Sequence, residues 1–203
     1  PDYKGLKDRE LVKYFRKNGD ESAFNELMNR HQQKIYSYIY SMVMNPEIAN
    51  DLFQTTFTKV ITKMDDTYNE QGKWIAWVMR IAHNATIDYL RKQKRYIDVS
   101  GWSDEDSSTD YFDRMEDESI VDADEKLVED ETRSSLMKHI SKLPEEQRSV
   151  VLLRHYYEMP FKEIAELTGV SINTALGRMR YALINLRKYF EEEREKEQHA
   201  QHG

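Results

Sequence analysis

The stretch "FKEIAELTGVSINTALGRMRYAL", residues 161–183, decides how the second half of the chain folds. Two helices joined by a turn of three or four residues cross closely, so the side chain at the crossing must be small, and Ala165 meets that demand. The turn needs a residue that accepts a left-handed backbone, and Gly169 stands four positions on. Val170 can plug the corner, and Ser171 is a good N-cap for the following helix. The pattern reads as a helix-turn-helix. At about 100° per residue, Ala175, Met179, Ala182, Leu183, Leu186 and Phe190 share one apolar face of the last helix. Asn173, Gly177 and Arg180 point almost oppositely, with Thr174, Leu176 and Arg178 on the flanks. In a major groove Arg forks onto guanine and Asn pairs with adenine, and Gly177 lets a duplex backbone approach closely. Arg148, Arg154, Lys162, Arg187 and Lys188 are candidate phosphate contacts. An ordinary antiparallel helix pair with solvated arginines would share much of this pattern, so other parts of the chain must decide.

Immediately upstream, Leu136, Met137, Ile140 and Leu143 precede Pro144, and "EEQRSVVLLRHYYE" (145–158) reads as one helix. Downstream, the polar tail "EEEREKEQHAQHG" (191–203) is expected to fray. Further upstream the character changes. From Asp98 to Glu131, fifteen acidic residues against Arg114 and Lys126 give −13, so the rest of the chain carries +6 of the whole-chain −7. The net charge argues naively against nucleic acid, but its distribution reverses that argument: an acidic segment parts two basic ones. Residues 97–126, rich in Ser and Asp and without periodicity, are expected to be a flexible acidic linker.

The N-terminal part, residues 1–96, is helical throughout. Asp8 is expected to cap a short helix ending near Gly19. From Glu21 to Met44, Phe24, Leu27, Met28, His31, Ile35, Tyr38, Ile39 and Met42 recur at helical spacing. Asn45-Pro46 ends that helix and starts another, with Ile48, Leu52, Phe53, Phe57, Val60, Ile61 and Met64 on its stripe. "DDTYNEQG" (65–72) reads as a polar turn, and a long helix then runs to about Arg95. Nothing reads as a strand. The expected fold class is all-α: an N-terminal helical bundle (1–96) and a C-terminal helix-turn-helix domain (127–203), joined by the linker.

Several classes fall away. The chain has no cysteine, hence no disulfide or thiolate metal site. No apolar run approaches the roughly 20 residues of a membrane span, so no membrane insertion and a cytoplasmic location are expected. His31, His83, His139 and His155 are scattered without metal-ligand spacing, and there is no Gly-rich phosphate loop. An enzyme, a metal site and a cofactor are therefore not expected. A dimeric helix-turn-helix regulator would need a receiver or ligand domain, and residues 1–96 lack the alternating strand–helix pattern of one. A helical scaffold without nucleic acid is the third alternative.

The second basic stretch is "GKWIAWVMRIAHNATIDYLRKQKR", residues 72–95. Ile75, Val78, Ala82, Ala85 and Tyr89 form its apolar stripe, while Trp77, Arg80, Asn84, Asp88 and Arg91 form another face. Aromatic, amide and guanidinium groups on one face can stack on an exposed base, hydrogen-bond its edge and hold its phosphate. Trp74 reads as core; Trp77 suits either the core or this face.

At these residues the chain resembles the extracytoplasmic-function branch of bacterial RNA polymerase sigma factors. The resemblance rests on "ANDLFQTTF" (49–57), "WIAWVMRIAHNATIDYLRK" (74–92) and the block from Leu143 to Lys188, in that order, and covers most of the chain. It implies a non-enzymatic protein that binds core RNA polymerase and starts transcription at particular promoters. By position, Asp51, Leu52, Gln54 and Phe57 match contacts to the clamp helices of the polymerase's largest subunit, and the second domain would meet the flap of the second-largest. The turn from Asp66 to Lys73, with Asn84, matches a pocket for a flipped base of the single-stranded −10 element. Arg80, Arg91, Lys92 and Arg95, with Trp77 and Asp88 on the same helix, match contacts to the −10 strand. Arg148, Lys162, Ser171, Asn173, Thr174, Leu176, Gly177, Arg178 and Arg180 fall on the helix-turn-helix that would read the double-stranded −35 element. Such proteins are held inactive by an anti-sigma factor, which can tether them at a membrane. The acidic linker would either thread the polymerase's positive cleft, as the family's linkers do, or serve as a solvated tether with no specific path. The chain departs from the family's pattern at Leu176-Gly177, where many relatives carry a polar or basic residue followed by Ser.

Overall fold

Three side chains set where the long helices begin. Asp20 accepts from the amides of Ser22 and Ala23, Asn45 from those of Glu47 and Ile48, and Ser171 from that of Thr174. Each satisfies donors that a helix end leaves without a partner. Pro46 follows Asn45 at the first helical position, where a missing N–H is no loss. The computed structural model describes residues 2–68, 73–99 and 133–202; among these every regular element is helical. The chain divides into two units, within residues 1–100 and 101–203. Residues 100–132, most of the expected acidic linker, lie outside the described residues.

The first unit holds a 3-10 turn (Tyr3–Gly5) and four helices: α1 (Asp8–Asn18), α2 (Glu21–Val43), α3 (Pro46–Thr67) and α4 (Trp74–Val99). α2 is the central one and packs against the other three. Leu27, Ile35, Tyr38, Ile39 and Met42 of α2 are buried against Ala49, Val60 and Met64 of α3 and Trp74, Val78, Met79 and Ala82 of α4. Trp74, 2% exposed, is core as expected, its ring 5.8 Å from that of His31. Ile61, expected on the apolar stripe, is instead exposed.

Local polar chemistry moves some boundaries from their expected places. Asp8 is the first helical residue, not the N-cap. The cap position is Lys7, whose amide donates to Glu10 Oε2 at 2.8 Å. The Asp8 carboxylate is engaged in tertiary structure: it takes Arg30 at 3.0 Å and His31 at 2.6 Å. The same Arg30 donates to the carbonyls of Tyr3, Lys4 and Leu6 and to Glu26, so one guanidinium straps the N-terminal segment onto α2. The expected polar turn at 65–72 begins later, because α3 continues through Thr67, and α4 continues past Arg95 to Val99.

The second unit is built from α5 (Arg133–Ile140), α6 (Glu145–His155), α7 (Phe161–Thr168) and α8 (Ile172–Gln201). Ser149 to Leu153 of α6 are all buried, so the middle of this helix is enclosed on every side. The α6–α7 corner places Glu158 at φ 48°, a left-handed conformation that β-carbon-bearing residues adopt at a cost of about 1–2 kcal/mol. Its side chain is exposed, so no packing is lost by removing it. Glu158→Gly is therefore expected to raise the urea midpoint by about 0.5–1 kcal/mol equivalent, glycine's greater unfolded freedom offsetting part of the relief.

The tail expected to fray does not: α8 is one helix to Gln201. Its anchor is Glu193. The Nε2 of His139, a residue 1% exposed, donates to Glu193 Oε2 at 2.6 Å, and Lys138 and Ser135 converge on the same carboxylate at 3.4 Å. The hydrogen bond from His139, with that of Lys138, holds the Glu193 carboxyl below its ordinary range. A carboxyl lowered on folding stabilises at pH above its ordinary value of 4.5, and that stabilisation is lost as pH falls through the lowered one. Glu193→Gln is expected to speed amide exchange over residues 188–201 at neutral pH. The difference from the parent protein should close as the solution is made acidic enough to protonate Glu193; a difference independent of pH would rule out the carboxylate as the anchor.

Candidate nucleic-acid interface

The residues singled out from the sequence fall in both units. On α4, Arg80, Asn84 and Asp88 recur at four-residue spacing, and Arg91 and Arg95 continue the row. All five are exposed, as is Lys92 beside them. The opposite side of the helix is locked. His83 Nδ1 lies 2.7 Å from the Tyr38 hydroxyl, both side chains buried, and the buried Thr86 hydroxyl donates to the Ala82 carbonyl at 2.7 Å. The exposed row is thus held by a rigid backing. Trp77 resolves between its two readings as half-buried, edge-on to Tyr68 with centroids 5.4 Å apart. Lys73 is exposed just ahead of α4. Asp66 lies in the last turn of α3, exposed, and residues 69–72 lie outside the described residues.

On α3, Asp51 and Gln54 are exposed, but Leu52 and Phe57 are buried. A partner surface can therefore be touched by the first two, while Leu52 and Phe57 position them from the core. Sequence reading missed an aromatic ledge here. Tyr36 and Tyr40 of α2 stack at 6.3 Å, and Phe53 meets Tyr36 edge-on at 5.9 Å and Phe57 at 4.8 Å. Its signal was available in the four-residue spacing of Tyr36 and Tyr40, the latter left exposed.

The helix-turn-helix forms as its residues require. Ala165 is buried, and Gly169 takes φ 73°. The Val170 amide returns to the Ala165 carbonyl at 3.0 Å, closing the helix end. Ala175, Met179, Ala182, Leu183 and Leu186 are buried along α8. Asn173 is exposed at its start, and Gly177 and Arg180, both half-buried, follow on that side. Ser171 and Thr174 are engaged with each other: the Ser171 hydroxyl donates to Thr174 Oγ1 at 2.9 Å while capping the helix. Lys162 is exposed on α7. Other arginines look inward. Arg178 approaches Glu146 of α6 at 3.9 Å, and Arg148 donates to the Leu143 carbonyl at 2.8 Å, bracing the α5–α6 turn. Arg154 lies over the Phe161 ring at 4.8 Å and so braces the α6–α7 corner. Among the described residues no group of acidic or His side chains is arranged to hold a metal ion, and no helix is long and apolar enough to cross a membrane.

Residues 27–96 match the family model for Sigma-70 region 2, and residues 133–181 that for Sigma-70 region 4. The ECF RNA polymerase sigma factor SigW of Bacillus subtilis is 31% identical over 179 residues, covering 85% of this chain and 91% of that protein. The RNA polymerase sigma factor CarQ of Myxococcus xanthus is 32% identical over 159 residues, covering 78% and 84%. In fold, the chain is similar to CnrH in its complex with the cytosolic domain of CnrY (TM-score 0.63, 22% identity, 91% and 97% covered). It is also similar to the sigma factor RpoE of Bartonella quintana bound to the anti-sigma factor NepR (TM-score 0.59, 19% identity, 83% and 96% covered). The chain belongs to the ECF family of RNA polymerase sigma factors. It is a non-enzymatic subunit that binds core RNA polymerase and promoter DNA and directs promoter-specific initiation of transcription.

Proposed function

We propose that the two units meet promoter DNA in two different states. The row Arg80–Asn84–Asp88–Arg91–Arg95 on α4, with Lys92, Lys73, Asp66 and Trp77, takes the −10 element as a single strand, Asn84 holding the edge of a base turned out of the stack. Unstacking costs a few kcal/mol per step, and new hydrogen bonds and phosphate contacts offset it. The α7–α8 pair takes the −35 element as duplex, with Asn173, Gly177 and Arg180 toward the groove and Lys162 at phosphate. Arg148, Arg178, Ser171 and Thr174 act by positioning that helix, since each is engaged inside the unit. Asp51 and Gln54 meet the clamp helices of the polymerase's largest subunit, with the Tyr36–Tyr40–Phe53 ledge beside them, and the second unit meets the flap of the second-largest. An anti-sigma factor covers these surfaces when the protein is idle, and the protein works in the cytoplasm. The observation that carries this reading is the exposed, internally braced Asn84 row.

Run-off transcription with core polymerase on a randomised promoter library tests it. Two enriched elements separated by a fixed spacing are expected. Arg180→Ala should cost roughly 1–3 kcal/mol at one −35 position. An equal loss on every sequence would leave Arg180 as a phosphate contact, and no transcripts from any template would refute the scheme.

A further inference from the structure

The first turns of α8 carry an apolar edge that hydrogen-bonded readout does not use. Ile172, the first helical residue, is 45% exposed. It takes no part in the cap, which belongs to Ser171, or in the buried stripe, which begins at Ala175. Leu176, half-buried, stands four residues on and shares its side of the helix. The edge they form borders the Asn173–Gly177–Arg180 side. At Gly177 an added β-carbon would meet nothing within 4 Å. Nothing inside the unit demands glycine there, although glycine within a helix costs about 1 kcal/mol relative to alanine. A bare backbone next to Leu176 lets this edge sink deeper into a groove. The exposed cations Lys162, Arg187 and Lys188 lie on the same helix pair, which suits a polyanionic duplex rather than an apolar protein face. The apolar group that a base pair presents in the major groove is the C5-methyl of thymine.

We infer that Ile172 and Leu176 read thymine methyl groups in the −35 duplex, giving this protein a methyl-dependent component of promoter choice. The inference rests on the proposal that α7–α8 read that element. The test uses the full chain bound to core polymerase and the −35 duplex selected from a randomised library, with each thymine of either strand replaced in turn by deoxyuridine. At least one replacement is expected to weaken binding about three- to fivefold, the worth of one buried methyl group. Ile172→Ala and Leu176→Ala should abolish that thymine-to-deoxyuridine difference while retaining discrimination at the position lost in Arg180→Ala. Ile172 is exposed, so its variant remains informative if Leu176→Ala folds poorly. A selected element without thymine, deoxyuridine tolerated at every position, or an Ile172→Ala variant with the parent's thymine preference would each overturn the inference. Failure of the wider proposal looks different: base-pair changes in the −35 element would then have no effect at all.

Discussion

Asn84→Ala is expected to leave polymerase binding intact and to slow promoter opening by about fivefold or more. Asn84 is exposed in the middle of α4, so the substitution opens no cavity. Alanine is the better helix former there, by up to about 0.7 kcal/mol, so the fold should be unharmed or slightly firmer. What is lost is a side chain able to donate and accept at once, on a backing fixed by Tyr38–His83 and Thr86. A paired amide-to-base contact is worth about 1–3 kcal/mol, which as a barrier gives the stated factor. Permanganate reactivity of unpaired thymines, followed in time with the complete holoenzyme, measures the opening. A template mismatched in advance over the −10 element should open nearly normally with the variant, because the unpairing has already been done. Normal opening on paired template would remove Asn84 from the mechanism.

The second large effect is on stability. Trp74→Ala is expected to cost about 3–5 kcal/mol, the usual range for emptying a buried tryptophan site. Trp74 is the first residue of α4 and one of the largest fully buried side chains in the described part of the chain. Its ring lies against His31, which is tied through Asp8 to Arg30 and so to the N-terminal segment. The urea midpoint of the first unit should fall steeply, and Trp74→Phe should recover part of the loss. A cost under about 1 kcal/mol would mean that the site collapses without a cavity.

Much of this architecture could be read from residue spacing. The Ala165–Gly169–Ser171 turn and the α8 stripe formed as their steric and capping demands require. The α4 row emerged because one period of 3.6 residues sorts Arg80, Asn84 and Arg91 from Val78, Ala82 and Ala85. What spacing could not convey were partners distant in the chain. Asp8 looked like a cap because its local context suits one, yet its carboxylate is held by residues on α2. The polar end of α8 looked loose because no local pattern reveals His139, more than fifty residues earlier, as its anchor. Leu52 and Phe57 sat within a family motif that does not separate contact residues from core residues; burial does. Arg148 and Arg178 carry the right charge for DNA, but their carbonyl and carboxylate neighbours are visible only in three dimensions.

The unbroken run of α8 gives the second unit the mechanics of a lever. From Glu193 to Gly177 the rod spans roughly 24 Å at 1.5 Å per residue. A tilt of about 5° at the His139 end would swing the tip by about 2 Å, over half the spacing between neighbouring base pairs. On the proposed reading of the −35 element, a change at the His139 anchor is expected to blur which bases are chosen before it weakens the grip.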